Sequence, residues 1–125
     1  MADLAMLQGI WEQVSMEEDG VLDPPDTHGA PGARVVFAGN RFSVAMPDGR
    51  VLLEGVFELD AGTEPKSVTW IDSIGADAGK RLPASYVLED DRFVFIAADE
   101  GAARPRVFRT VPGLTMRSFV RVGAP

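Results

Sequence analysis

Two residues in the stretch "KSVTWIDS" have the chemistry to do something beyond packing: Trp70 and, two positions on, Asp72. On a strand, that spacing puts both side chains on one face together with Val68, so a carboxylate is carried on a mostly apolar surface. A buried carboxylate is costly unless paired. Its alternatives are therefore a structural ion pair with an arginine from "RVFRT" (Arg106 or Arg109) or a general acid or base of raised pKa. Tyr86, in "LPASYVLED", is the second group able to move a proton, and Phe93 and Phe95 follow in "RFVFIAA". Consecutive antiparallel strands would make Trp70, Asp72, Ser85, Tyr86 and Phe95 neighbours. That set would serve as an aromatic pocket wall with polar handles, or as a core whose Trp N–H and Tyr O–H have found partners.

Other chemistries lack their residues. The chain has no cysteine and one histidine, His28, which excludes disulfides, thiolate nucleophiles, a Ser-His-Asp triad of the usual kinds and a multi-histidine metal site within one chain. No metal and no cofactor is expected. "GADAGK" has too short a spacing for a phosphate-binding loop and leads into no helix, so it reads as a hairpin loop. His28 sits beside Asp23 and Asp26 in "VLDPPDTHGAPGA", residues 21–33, a Pro- and Gly-rich connection that is either a lid or a plain surface loop.

The elements that must position these residues are strands. Period-two alternation runs through "IWEQVSM", "ARVVFAG", "RFSVAM", "RVLLEGVFELD", "KSVTWIDS", "LPASYVLED", "RFVFIAA", "RVFRT" and "TMRSFVRV", with Gly, Pro and Asn between them. In the fifties, Val51, Leu53, Gly55, Phe57 and Leu59 form the buried face, and Gly55 there marks a bend, a bulge or a close backbone approach. Glu54 falls on the exposed side. Only residues 3–8 have helical composition, enough for a turn or two. The expectation is an all-β, single antiparallel meander β-barrel of eight to nine strands over residues 1–125, because closing a meander removes both exposed edges.

Charge supports closure. The net charge is −7, and residues 1–30 carry seven acids with no Lys or Arg, whereas residues 101–125 carry five arginines and no acid. Pairing the first strand with the last would set these charges against each other, each close pair contributing roughly 0.2–1 kcal/mol. The acidic balance argues against nucleic acid as a partner. No apolar stretch is long enough to span a membrane and no signal peptide is evident, so a cytoplasmic monomer or homodimer is expected.

The start of the chain completes the frame. Leu4 and Leu7 would fold across one barrel end, Gly9 permits a sharp entry, and Trp11 closes that end under Arg117 or Arg121. Gly9-Ile10-Trp11 looks like the Gly-x-Trp signature of lipocalins. Through "LQGIWEQVSMEEDG", "RVVFAGNRFSV", "VLLEGVFELDAGTEPKSV", "GADAGK" and "SYVLEDDRF", the chain resembles, nearly end to end, a bacterial lipocalin-like family of uncharacterised small domains. The resemblance implies a lipocalin-like barrel and supplies no catalytic residues. The chain departs from that pattern at Trp70 and at Ala84-Ser85 before Tyr86, on neighbouring strands, where the change would alter a shared pocket or packed patch. The expected function is binding of a small apolar or amphipathic molecule, or a peptide, inside the barrel against Trp70, Tyr86 and Phe95, oriented by Asp72 and by Arg106 or Arg109. The alternatives are a cofactor-free cyclase or isomerase using Asp72 or Tyr86, and a protein-interaction module.

Overall fold

The computed structural model describes residues 3–18, 20–22, 33–75 and 77–123. After a short helix α1 (Asp3–Leu7) come β1 (Gly9–Glu18), β2 (Val21–Leu22), β3 (Arg34–Ala38), β4 (Arg41–Ala45), β5 (Val51–Asp60), β6 (Lys66–Asp72), β7 (Arg81–Glu89), β8 (Arg92–Ala97) and β9 (Thr115–Gly123). Sequential antiparallel neighbours run from β3 to β9. Pairing of β1 with both β3 and β9 closes them into an eight-stranded barrel, and β2 is a two-residue flap on the end of β1.

The alternation read from the sequence is what fills the interior. Phe57, Val68, Trp70, Ala84, Tyr86, Phe93 and Phe119 point inward and join Trp11, Val35 and Phe37 in one aromatic-rich core. Phe93 lies at its centre, with ring centroids of Trp11, Phe37, Tyr86 and Phe119 5.9–6.1 Å away. Gly55 is required by close approach: a Cβ there would stand 2.2 Å from the Ile71 carbonyl oxygen and 2.8 Å from the Phe42 ring.

Three expectations are corrected. Residues 106–110, carrying Arg106 and Arg109, do not form a strand; they belong to the irregular connection between β8 and β9. Those two strands pair directly with each other and β9 pairs with β1, so the ring has no vacant edge for another. The connection is held outside the barrel wall instead, by Arg104, whose guanidinium donates to the carbonyls of Val68 at 2.8 Å and Ala84 at 2.7 Å, and by Ser85, whose hydroxyl donates to the Pro105 carbonyl.

The second concerns the period of β1. Trp11 and Gln13 face inward, but the register with β9 shifts between Gln13 and Ser15, leaving Val14 bulged. Beyond the bulge the alternation inverts, so Met16 is buried and Val14 is exposed. The third concerns charge. The two chain ends do pair, yet Glu12 lies opposite Val120 on β9 and opposite Arg34 on β3, to which it makes a 3.5 Å ion pair. Glu12 is thus matched by β3, Glu17 accepts from Thr110 of the β8–β9 connection, and of the acids of β1 Glu18 acts through its charge on Arg117 of β9.

Of the loop 21–33, Val21 and Leu22 form β2 and Ala33 is buried; His28, Asp23 and Asp26 lie outside the described residues, as does the lid reading of that segment. Among the described residues no helix is long and apolar enough to cross a membrane.

Candidate functional site

The two ends of the barrel differ. At one, Gly9 takes a φ of 125°, Leu7 turns fully inward while Leu4 stays exposed, and the Trp11 indole N–H donates to the Leu7 carbonyl at 2.8 Å. Arg121, opposite Trp11 in the ladder, lays its guanidinium 4.3 Å from the indole centroid. It donates to the Gln8 carbonyl at 2.6 Å and to the Met6 carbonyl, and meets Asp91 at 3.0 Å. The arginine of this stopper is therefore Arg121; Arg117 sits further along β9.

Tyr86 belongs to the stoppered end. Its hydroxyl donates to the Asp3 carboxylate at 2.7 Å, which also accepts from Lys66 at 3.0 Å, so the helix is fastened across the barrel onto β6 and β7. Burial pushes the Asp3 carboxyl up, but the hydrogen bonds from Tyr86 and Lys66 and the Lys66 charge outweigh it and hold it below the usual carboxylate range. The Tyr86 phenol is raised well above its ordinary value by burial and then by Asp3. It lies opposite Lys66, six residues along β6 from Asp72, a separation of about 20 Å on an extended strand. Asp72 and Tyr86 do not share a site.

The open end holds a cavity of about 480 Å³. Its apolar wall includes Phe37, Phe42, Trp70, Phe95 and Phe119, and its polar groups include Gln13, Asp72, Asp77, Asp99 and Arg117. Trp70 is the hub of the wall, with ring centroids of Phe95 at 4.9 Å and Phe42 at 5.3 Å. Gly55 lets the Phe42 ring and Asp72 come together here, since both lie opposite it in the ladders.

Asp72 is 6% exposed. The ion pairs of the described residues are Glu12–Arg34, Asp3–Lys66, Asp77–Lys80, Glu58–Arg81 and Asp91–Arg121, and Asp72 is in none of them. Burial, and then the charge of Asp77, raises its pKa. The arginines expected to pair with it are elsewhere: Arg106 and Arg109 are exposed, and Arg106 donates to the Glu64 carbonyl at 3.4 Å.

The cation of the cavity is Arg117. Its guanidinium donates to Gln13 Oε1 at 3.0 Å and to the Met16 thioether sulfur at 3.3 Å. Burial lowers its pKa and Glu18 partly restores it; a guanidinium remains charged. Gln13 and Trp70 are 2% and 7% exposed, and among the described residues Gln13 Nε2 and Trp70 Nε1 have no hydrogen-bond partner. Orphaned donors at such burial are uncommon, each costing about 1–3 kcal/mol. Both residues line the cavity.

Of the residues singled out in the sequence, the structure gathers Trp70, Asp72 and Phe95 at the cavity, puts Gly9, Trp11, Arg121 and Tyr86 at the closed end, and leaves Arg106 and Arg109 outside. Sequence reasoning missed Gln13 as a cavity group and assigned Arg117 to the stopper. Inward parity was the available signal: Gln13 stands two residues from Trp11, and Arg117 two from Phe119 and four from Arg121. Among the described residues no group of three His, Cys, Asp or Glu is gathered to hold a metal ion. No family model matches the chain, and neither a curated protein nor a solved structure matches it.

Proposed function

We propose that the protein is a binding barrel that takes a small apolar or amphipathic molecule into its open end. The observation that carries this reading is the cavity of about 480 Å³ lined by buried aromatics and by two buried N–H groups, of Gln13 and Trp70, that lack a partner. Its volume is that of small-molecule sites, and its few polar groups set in an aromatic wall are what such sites use to orient a ligand. Kinship with lipocalin-like domains is part of the same reading, supported by the closed antiparallel barrel and by Gly9 and Trp11 under Arg121.

The two tryptophans allow a clean test. Trp70 lines the cavity, whereas Trp11 is sealed at the other end. Titration with a panel of lipophiles is expected to change the fluorescence of the wild type and not that of a Trp70→Phe variant, with calorimetry confirming saturable binding. No response across the panel by either method overturns the proposal.

A second reading is favoured by one observation, the buried, unpaired carboxyl of Asp72 with its raised pKa. A general acid or base needs that environment, and a cofactor-free isomerase or cyclase would use it on a molecule shaped by the aromatic wall. Tyr86 has no part in this reading because it lies at the stoppered end. Retained turnover of a candidate substrate by Asp72→Asn excludes Asp72 as the proton-transfer group.

A further inference from the structure

Gln13 with Arg117 and Asp72 with Asp77 are two polar pairs of the cavity. In the order of strands round the barrel, β6 stands four positions from β1 in either direction, so Gln13 and Asp72 rise from opposite walls. On the β1–β9 side, Gln13 Oε1 accepts from Arg117, and because a guanidinium has donors only, the amide oxygen must face it. The Gln13 NH₂ is thereby left as donor, without a partner and 2% exposed. This wall offers a cation and the Gln13 N–H, and it suits an acceptor oxygen.

The β6 side carries an acid. Asp72 is buried, lines the cavity and is in none of the ion pairs of the described residues, while Asp77 adds negative charge beside it. The rings of Trp70 and Phe42, edge to face with centroids 5.3 Å apart, line the cavity with it. A carboxylate beside aromatic faces suits an ammonium, which gains both charge pairing and attraction to the rings.

Resting on the reading of the protein as a binding barrel, we propose that its ligand is dipolar: a planar apolar body carrying a protonated amine toward Asp72 and a carboxylate toward Gln13 and Arg117. An ordinary lipophile would leave the carboxyl and the Gln13 N–H desolvated and unmatched. A purely anionic ligand would satisfy Gln13 and sit against Asp72 unfavourably, and a purely cationic one would do the converse.

Isothermal titration calorimetry with matched probes tests this. The set is biphenyl with 4-aminomethyl and 4′-carboxylate groups, the two biphenyls bearing one group each, unsubstituted biphenyl, and the same series on a single ring. At one of the two lengths, the doubly substituted probe is expected to bind at least about ten-fold more tightly than either singly substituted relative, each end supplying a charge-assisted hydrogen bond. Asp72→Asn, an isosteric change, removes the gain from the amine and keeps that from the carboxylate. Gln13→Met reduces the gain from the carboxylate, with circular dichroism checking the fold. Equal binding of singly and doubly substituted probes at both lengths, or an amine gain that survives Asp72→Asn, overturns the dipolar assignment. Lipophile binding without any gain from polar ends sinks this inference alone; no binding by any probe or lipophile sinks the binding-barrel reading with it.

Discussion

Replacing Arg121 with Met should show how much of the barrel's stability depends on its stopper. The substitution keeps an unbranched apolar stem against the Trp11 ring but deletes a guanidinium 4.3 Å from the indole centroid and its hydrogen bonds to the carbonyls of Met6 and Gln8. Charge-assisted hydrogen bonds of this kind are worth about 1.5–3 kcal/mol each, at the lower end here because the carbonyls at a barrel end regain water. The cation–π contact adds about 0.5–2 kcal/mol. The bond to Asp91 is excluded from the sum, since that carboxylate is 74% exposed and such surface pairs contribute about 0–1 kcal/mol. The expected loss is about 4 kcal/mol, a drop of about 15 °C in Tm for a domain of this size. Urea unfolding followed by fluorescence and circular dichroism measures it. Arg121→Lys, which keeps the charge but cannot span two carbonyls, should lose about half as much, and a cycle with Trp11→Phe should return a coupling of about 1 kcal/mol. Wild-type stability in Arg121→Met, or a Lys variant equal to Arg, would refute the stopper as the source of this energy. Ligand affinity should not follow the loss, because Arg121 does not line the cavity.

Gly55→Ala puts a methyl group 2.2 Å from the Ile71 carbonyl oxygen. β5 and β6 must then part, with an expected cost of about 3 kcal/mol in urea unfolding and weakened binding in the cavity; a cost below about 1 kcal/mol would show the approach to be soft. Asp72→Asn should raise stability at neutral and alkaline pH. Burial holds the folded-state pKa of Asp72 above that of an ordinary carboxyl, so its charge opposes folding above the folded pKa and the penalty vanishes as pH falls below the unfolded value. Unfolding free energies of wild type and variant should therefore converge toward pH 4 and diverge toward pH 8; parallel curves would contradict a desolvated, unpaired carboxyl. Tyr86→Phe removes the 2.7 Å hydrogen bond to Asp3 and should cost about 1 kcal/mol. It should also raise the Asp3 pKa in an NMR titration, an unchanged pKa being evidence that Lys66 alone holds it.

The sequence carried the barrel because its information is periodic. A strand with one buried face announces itself by alternation, as in Leu53, Gly55, Phe57 and Leu59, and that signal survives any uncertainty about which strand neighbours which. The misread segment, residues 106–110, has local alternation too, but whether a segment becomes a strand depends on a vacant ladder edge. Here β8 and β9 had already taken each other. The same reasoning explains why the charge pairing went astray. Counting acids and arginines at the two ends located their strands as neighbours, while the facing residues are set by register, and register depends on the Val14 bulge.

Site residues were legible only where strand parity was enough. Trp70, Asp72 and Phe95 could be placed at one wall because parity fixes the face. Height along the barrel was not available to the same reasoning, and height is what separates Asp72 at the open mouth from Tyr86 at the stoppered end, although β6 and β7 are adjacent. An eight-stranded barrel is about as wide as its side chains can fill, so small differences in what stands at each height decide whether space remains. Below, Trp11, Tyr86 and Phe93 close it completely, each at most 1% exposed. Above, Gly55 opposite Asp72 contributes no side chain, and Gln13, Asp72 and Arg117 face a gap walled by Phe42, Trp70 and Phe95. The contents of the cavity thus follow from register, which is set by pairing between distant segments, and a group such as Gln13 acquires its meaning only when Arg117, 104 residues away in the chain, fixes which end of its amide is left to face a ligand.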